Sequence, residues 1–122
     1  MSKVQKRIDS HIHYSLPVKP EELIAFMDKN GIEKANLVLV PNLKRLTSVP
    51  DALMAKAKYP DRFYVFTSFD VSEYFRHGKE IGKYQAQFVD NMRRCGCDGL
   101  KIIEGKPSMQ KIMGGLSPSQ IY

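Results

Sequence analysis

The run "ANLVLV" (residues 35–40) constrains the fold more than any other stretch of the chain. It is apolar at every position except Asn36. An uninterrupted apolar run of that length marks a strand covered on both faces, as in parallel sheets. Its surroundings agree. Upstream, "PEELIAFMDKNG" reads as a helix. Pro20 suits the first turn, Glu21 and Glu22 favour its positive end, and Gly31 is a natural stop. Leu23, Ile24, Phe26 and Met27 supply the apolar stripe. Downstream, "SVPDALMAKAKY" reads as a second helix, with Ser48 and Asp51 spaced like a capping box and Pro60 ending it. "RFYVFTSF" has the aromatic and β-branched content of a third strand. Residues 72–94 form a longer helical stretch with a break around 78–82. "DGLKII" is a fourth strand.

The start of the chain completes the pattern. "VQKRIDSHIH" alternates with period two, which puts Ile8 and Ile12 on one face and Asp9, His11 and His13 on the other. The order β-α-β-α-β-α-β predicts an α/β fold with a parallel sheet and right-handed crossovers. Residues 104–122 are rich in Gly, Pro and Ser and read as a loop-rich tail, with one helical turn around 109–113.

The length of 122 residues suits one domain. It falls well short of the ~250 residues of a complete (β/α)8 barrel. The net charge of +6 comes from 19 Lys+Arg against 13 Asp+Glu. Those basic residues are scattered and no aromatic-interleaved basic stripe is present, so a solvated surface is expected and no nucleic-acid partner. No apolar run reaches the ~20 residues of a membrane span. The N-terminus lacks the apolar core of a signal peptide, which gives a cytoplasmic expectation with no membrane partner. Cys95 and Cys97 are two residues apart, a spacing that closes a disulfide poorly, and read as reduced thiols.

Asp9, His11 and His13 form a D-x-H-x-H triplet. Ligands bind at the carboxyl ends of the strands in parallel α/β folds, and both histidines lie at the carboxyl end of the first strand. At ~3.3 Å per residue, rings two positions apart share a face and lie ~6–7 Å apart along the strand. Two such imidazoles can share one divalent ion at ~2.0–2.1 Å. Asp9 is expected on the same face, one step deeper, as a carboxylate that orients the metal-bound histidines. The plainer reading is two strand-end histidines that only hydrogen-bond. Lys101 has the parity of Gly99 and Ile103 and faces the same interior if they do. Glu104, Asp70 and Asn42 end their strands, where a cap or loop contact competes with a binding role. Cys95 and Cys97 precede the fourth strand and so belong to the opposite rim from the histidines. His77 falls in the third helical region.

The setting of the triplet resembles the amidohydrolase superfamily of metal-dependent (β/α)8 barrels. In order, "DSHIH", "PEELIAFMDKNGIEKANLVLVPN", "YPDRFYVFTSFDV" and "CDGLKIIEGKP" are similar to the first four β/α units of the amidohydrolase-related branch, which includes aminocarboxymuconate-semialdehyde decarboxylase. The likeness covers residues 7–107. It implies a (β/α)4 half of a TIM-type (β/α)8 metal-dependent hydrolase barrel, with residues 1–122 forming a single partial domain. It further implies that His11 and His13 are metal ligands and that the cofactor is a divalent metal, Zn first. Lys101 would bridge metals or bind substrate. The family's remaining ligands come from later strands that have no counterpart here, so this chain alone is expected to be incomplete and inactive. The implied reaction uses metal-activated water on a small-molecule amide, ester or lactone, or decarboxylates a small carboxylic acid. A non-catalytic α/β binding module remains an alternative, as does a PHP-like or TatD-like phosphoesterase, since those families also open with H-x-H. A half-barrel leaves open sheet edges, so a homo-oligomer is expected.

Overall fold

The computed structural model describes residues 5–14, 18–40, 49–69, 72–103, 106–112 and 114. Four strands form one parallel sheet in chain order: β1 (Arg7–His13), β2 (Ile32–Val38), β3 (Phe63–Ser68) and β4 (Gly99–Lys101). The helices between them are α1 (Pro20–Lys29), α2 (Val49–Lys58), α3 (Ser72–His77) and α4 (Ile81–Arg94), and α5 (Pro107–Ile112) follows β4. The expected α/β architecture is therefore present. The tail contains a helix that starts two residues before the expected turn. Ser48, Asn42, Asp70 and Glu104 lie outside the described residues.

The local signals act as the sequence suggests. Glu22 turns back to accept the backbone N–H of Lys19 at 3.4 Å, which caps the start of α1. Gly31 leaves the helix with a φ of 66°, a conformation that disfavours any side chain. The break in the third helical region is a 3-10 turn at Gly78–Glu80.

Burial sorts the two faces of the sheet. Ala35 and Leu37 of β2 and Phe63 and Val65 of β3 pack with Met27 of α1 and Ala52 and Ala55 of α2 in one core. Phe69 and Ile81 form a second cluster with Phe88, Val89, Leu100 and Met109, which ties α4 and α5 to β4. The helices thus cover the face that bears Leu37 and Val65. The opposite, inner face carries Val38, Phe66 and Gly99 in one row and Ser68 and Lys101 in the next, by the pairing of β2, β3 and β4. Gly99 is required in that row, because a Cβ there would come within 2.5 Å of the Phe66 ring.

Two features of the register are absent from the sequence pattern. First, β1 is irregular between Asp9 and Ile12: Asp9 pairs with Ala35 and Ile12 with Leu37, so three steps on β1 match two on β2. This is bulge-like. It corrects the expected faces: Ile12 packs on the core, whereas Ile8 is 60% exposed. Asp9 takes the parity of Ala35 and leaves the histidines' face. Second, the strands are staggered. His13 pairs with Val38, Val38 with Phe66, and Phe66 with Gly99, so the last residue of β1 is level with the first of β4. β1 and β2 begin and end level, and the offset enters at β3 and β4; an offset of this kind accompanies the tilt of strands in barrels.

Candidate metal site

His11 and His13 project from the carboxyl end of β1, His11 from within the irregular stretch and His13 just after it. Their Nε2 atoms are 2.9 Å apart and their ring centroids 5.0 Å, with planes tilted by 50°. Both rings are exposed. In the neutral pair one ring donates an N–H to the other. The same geometry fits a shared cation. An ion ~2.0–2.1 Å from each nitrogen subtends an angle of about 90°, which suits adjacent positions of a five- or six-coordinate centre. Soft-to-borderline divalent ions that accept imidazole match this donor set.

Asp9 reaches the pair through the backbone. Its Oδ1 accepts the N–H of His11 at 3.1 Å. A short acidic side chain that bonds the backbone two residues on is a known turn-forming habit. Here it holds the irregular segment from which the His11 ring projects. An aspartate that bonds the backbone two residues on is a signal present in "DSH", although it does not by itself define the bulge.

Lys101 lies on the inner face beside Ser68. It is half-buried. Ser68 is 2% exposed, and its hydroxyl has no hydrogen-bond partner among the described residues. Asn36 donates to the carbonyl of Ser10 at 3.3 Å, which braces the irregular stretch of β1 from the neighbouring strand.

The remaining candidates stay apart from the histidines. Among the described residues no cluster of three or more His, Cys, Asp or Glu side chains is suited to a metal. His77 bonds Glu73 at 2.6 Å and stacks on Tyr84 with centroids 3.4 Å apart, a local fastening of α3 to α4. Cys95 is exposed and Cys97 half-buried, both as free thiols. Burial is the main cause that pushes the Cys97 thiol up to about 11, which makes it a poor nucleophile and a poor ligand near neutrality. Along the strands the cysteines lie closer to the histidines than the sequence suggests. Because of the stagger, Cys97 lies only two residues below the row of His13. The separation comes instead from three strand spacings, about 14 Å. Among the described residues no helix is long and apolar enough to cross a membrane.

Fold and site together define a parallel β/α sheet with a two-histidine motif at the carboxyl end of its first strand. A solved structure has a similar fold over part of its chain: a probable 2-pyrone-4,6-dicarboxylic acid hydrolase from Acinetobacter baumannii, with citric acid bound. The TM-score is 0.54 and the sequence identity 17%, and the match covers 89% of this chain and 45% of that one. The chain thus spans less than half the length of that hydrolase, and at this identity the likeness is one of fold. No family model and no curated protein matches the chain.

Proposed function

We propose that this chain carries the first ligand pair of a metal-dependent hydrolase barrel, with His11 and His13 holding a divalent cation, Zn first. One observation carries the reading: two Nε2 atoms 2.9 Å apart at the carboxyl end of the first strand of a parallel α/β sheet. The sequence resemblance to the amidohydrolase superfamily supports it, as does the fold likeness to a solved hydrolase. When bound, such an ion polarises a carbonyl and brings the ionisation of a coordinated water down toward ~7. His11 and His13 act as neutral donors and give up the bond between them. Asp9 fixes the backbone that aims His11. Lys101 offers a cation to a substrate carboxylate on the same face as His13. The substrates in this reading are small amides, esters or lactones, and decarboxylation of a small carboxylic acid is the other outcome of the same site.

Two imidazoles fill only two of the positions in a five- or six-coordinate shell. The chain by itself is therefore proposed to bind the ion weakly and to turn over little. Metal analysis of tag-free protein, followed by titration with Zn2+ and Co2+, tests the site. Binding that disappears in His13→Ala supports the proposal, and an unmodified chain that retains no ion and shows no titration heat sinks it. The lack of a third donor among the described residues favours a second reading, a non-catalytic module. Metal-loaded protein inert toward an amide, ester and lactone panel fits that module, and cleavage of bis(p-nitrophenyl) phosphate indicates a phosphoesterase.

A further inference from the structure

Asn36 is the one polar residue in the apolar run at residues 35–40, and it stands opposite the irregular stretch of β1. Asp9 pairs with Ala35 and Ile12 with Leu37, so Ser10 and His11 together face the single residue Asn36. Ala35 and Leu37 on either side of it pack in the core, and alternation therefore puts Asn36 on the inner face. It is 9% exposed, and its Oδ1 has no hydrogen-bond partner among the described residues. A buried amide left half-bonded is a net cost to a fold, which an apolar side chain at the same place avoids. The packing of β2 alone gives no reason for an asparagine here.

The reason lies in what its nitrogen holds. Asn36 Nδ2 donates to the carbonyl of Ser10 at 3.3 Å, and Asp9 Oδ1 accepts the N–H of His11 at 3.1 Å. That carbonyl and that N–H belong to one peptide group, the link between Ser10 and His11. The group is planar and its two polar bonds point in opposite directions, so one side chain holds it at each end. In a regular strand the ladder fixes every peptide, but at a bulge the ladder is disrupted. A turn of this plane changes ψ of Ser10 and φ of His11, and so re-aims the His11 ring. We propose that Asn36 is a positioning residue for the histidine pair: Asn36 and Asp9 clamp the peptide between Ser10 and His11, and the clamp sets the 2.9 Å separation of the two Nε2 atoms. A ligand pair has to be held to within about 0.5 Å and 10–20° of its working geometry. The clamp is a property of the metal-free chain. That it serves an ion rests on the reading of His11 and His13 given above.

Asn36→Leu tests the clamp, because leucine branches at the same atom and removes both the donor and the unpaired oxygen. Two readouts separate the clamp from the ion. The first is hydrogen exchange of the His11 amide, followed by NMR in the metal-free protein. This N–H bonds Asp9 and not residue 36, so only a shared peptide transmits the change. Its exchange is expected to quicken about tenfold. The amide of Leu39, bonded to the Phe66 carbonyl at 2.9 Å, is the control and keeps its rate. The second readout is Zn2+ titration. The dissociation constant is expected to rise about tenfold. Asp9→Ala combined with Asn36→Leu should bind no worse than the weaker single variant, because either change frees the same peptide. An unchanged His11 rate in Asn36→Leu overturns the proposal. So does a double variant in which the two losses multiply to about a hundredfold, the mark of independent sites. A wild-type chain that binds no ion, with the His11 rate raised in Asn36→Leu, keeps the clamp and removes the metal-site reading. Asn36→Ala, which cannot overpack the strand, is read in the same way if the leucine variant fails to fold.

Discussion

The two rims of the sheet are built on different principles. At the amino rim, charged side chains bind loops and strands together. Lys56 donates to the carbonyl of Gly96 at 2.6 Å and to both carboxylate oxygens of Asp98, at 2.9 and 3.0 Å. Asp98 also accepts the N–H of Val65 at 2.9 Å, which fastens the start of β4 to β3. Arg62 spans the carbonyls of Ile32 and Glu33 and the carboxylate of Asp28. At the carboxyl rim, His11 and His13 meet only each other through their rings. Lys101 has no ion-pair partner among the described residues. Groups at the first rim have spent their bonding capacity on the protein. Groups at the second keep theirs largely unspent among the described residues, and the proposed reading assigns that capacity to a ligand. In barrel folds the same division separates a stabilising face from a reactive one.

Substitutions at the two rims should therefore separate stability from binding. The largest loss of stability is expected for Asp98→Ala, which leaves the partly buried Lys56 ammonium and the Val65 amide without their partner. Urea unfolding should show a loss of about 3 kcal/mol with metal binding unchanged. A metal affinity that falls in parallel would merge the two rims into one unit. His13→Ala is the mirror case. Removing one of two donors should cut Zn2+ affinity about a hundredfold in calorimetry, while stability stays within about 0.5 kcal/mol because the ring is exposed. Gly99→Ala tests the inner face between the rims. The added Cβ meets the Phe66 ring, and a loss of about 2 kcal/mol is expected, partly restored by Phe66→Leu.

Smaller effects sharpen the contrast. Asp9→Ala removes the acceptor for the His11 amide and should cost about 1 kcal/mol and weaken the ion about tenfold. Asp9→Asn, which keeps an oxygen acceptor, should recover most of both. At the other rim, burial disfavours the charged thiolate of Cys97, whose thiol is pushed up to about 11. Iodoacetamide at pH 8 should therefore label the exposed Cys95 and spare Cys97. Labelling of Cys97 should rise as the pH climbs toward 11, which peptide mapping can follow. Equal labelling at pH 8 would mean that the amino rim opens readily.

The sequence carried most of the fold because its local signals reinforce one another. The apolar run at Ala35 to Val40, the Pro20 and Gly31 bracket around α1, and the Gly78 break each act within a few residues. The bulge was not legible, because it is defined by what β2 places opposite Asp9 and Ile12 and not by β1 alone. Strict alternation therefore put Asp9 on the wrong face, although it found the two histidines that share one. The stagger was hidden for the same reason. It is a property of pairings between strands, and it changes which residues are neighbours across the sheet, Cys97 and His13 among them.

The strand order also bears on how the chain acquires its shape. Among the described strands, each one after β1 pairs with the one made just before it, and partners lie about thirty residues apart along the chain. No strand waits for a distant segment to arrive. Each β/α unit can dock as it leaves the ribosome, on a template already standing. Such an order keeps loop closures short, which favours fast assembly for a parallel sheet. It also means that the growing edge is always the newest strand, so that among the described strands β4 joins after the other three and its loss leaves their pairings intact.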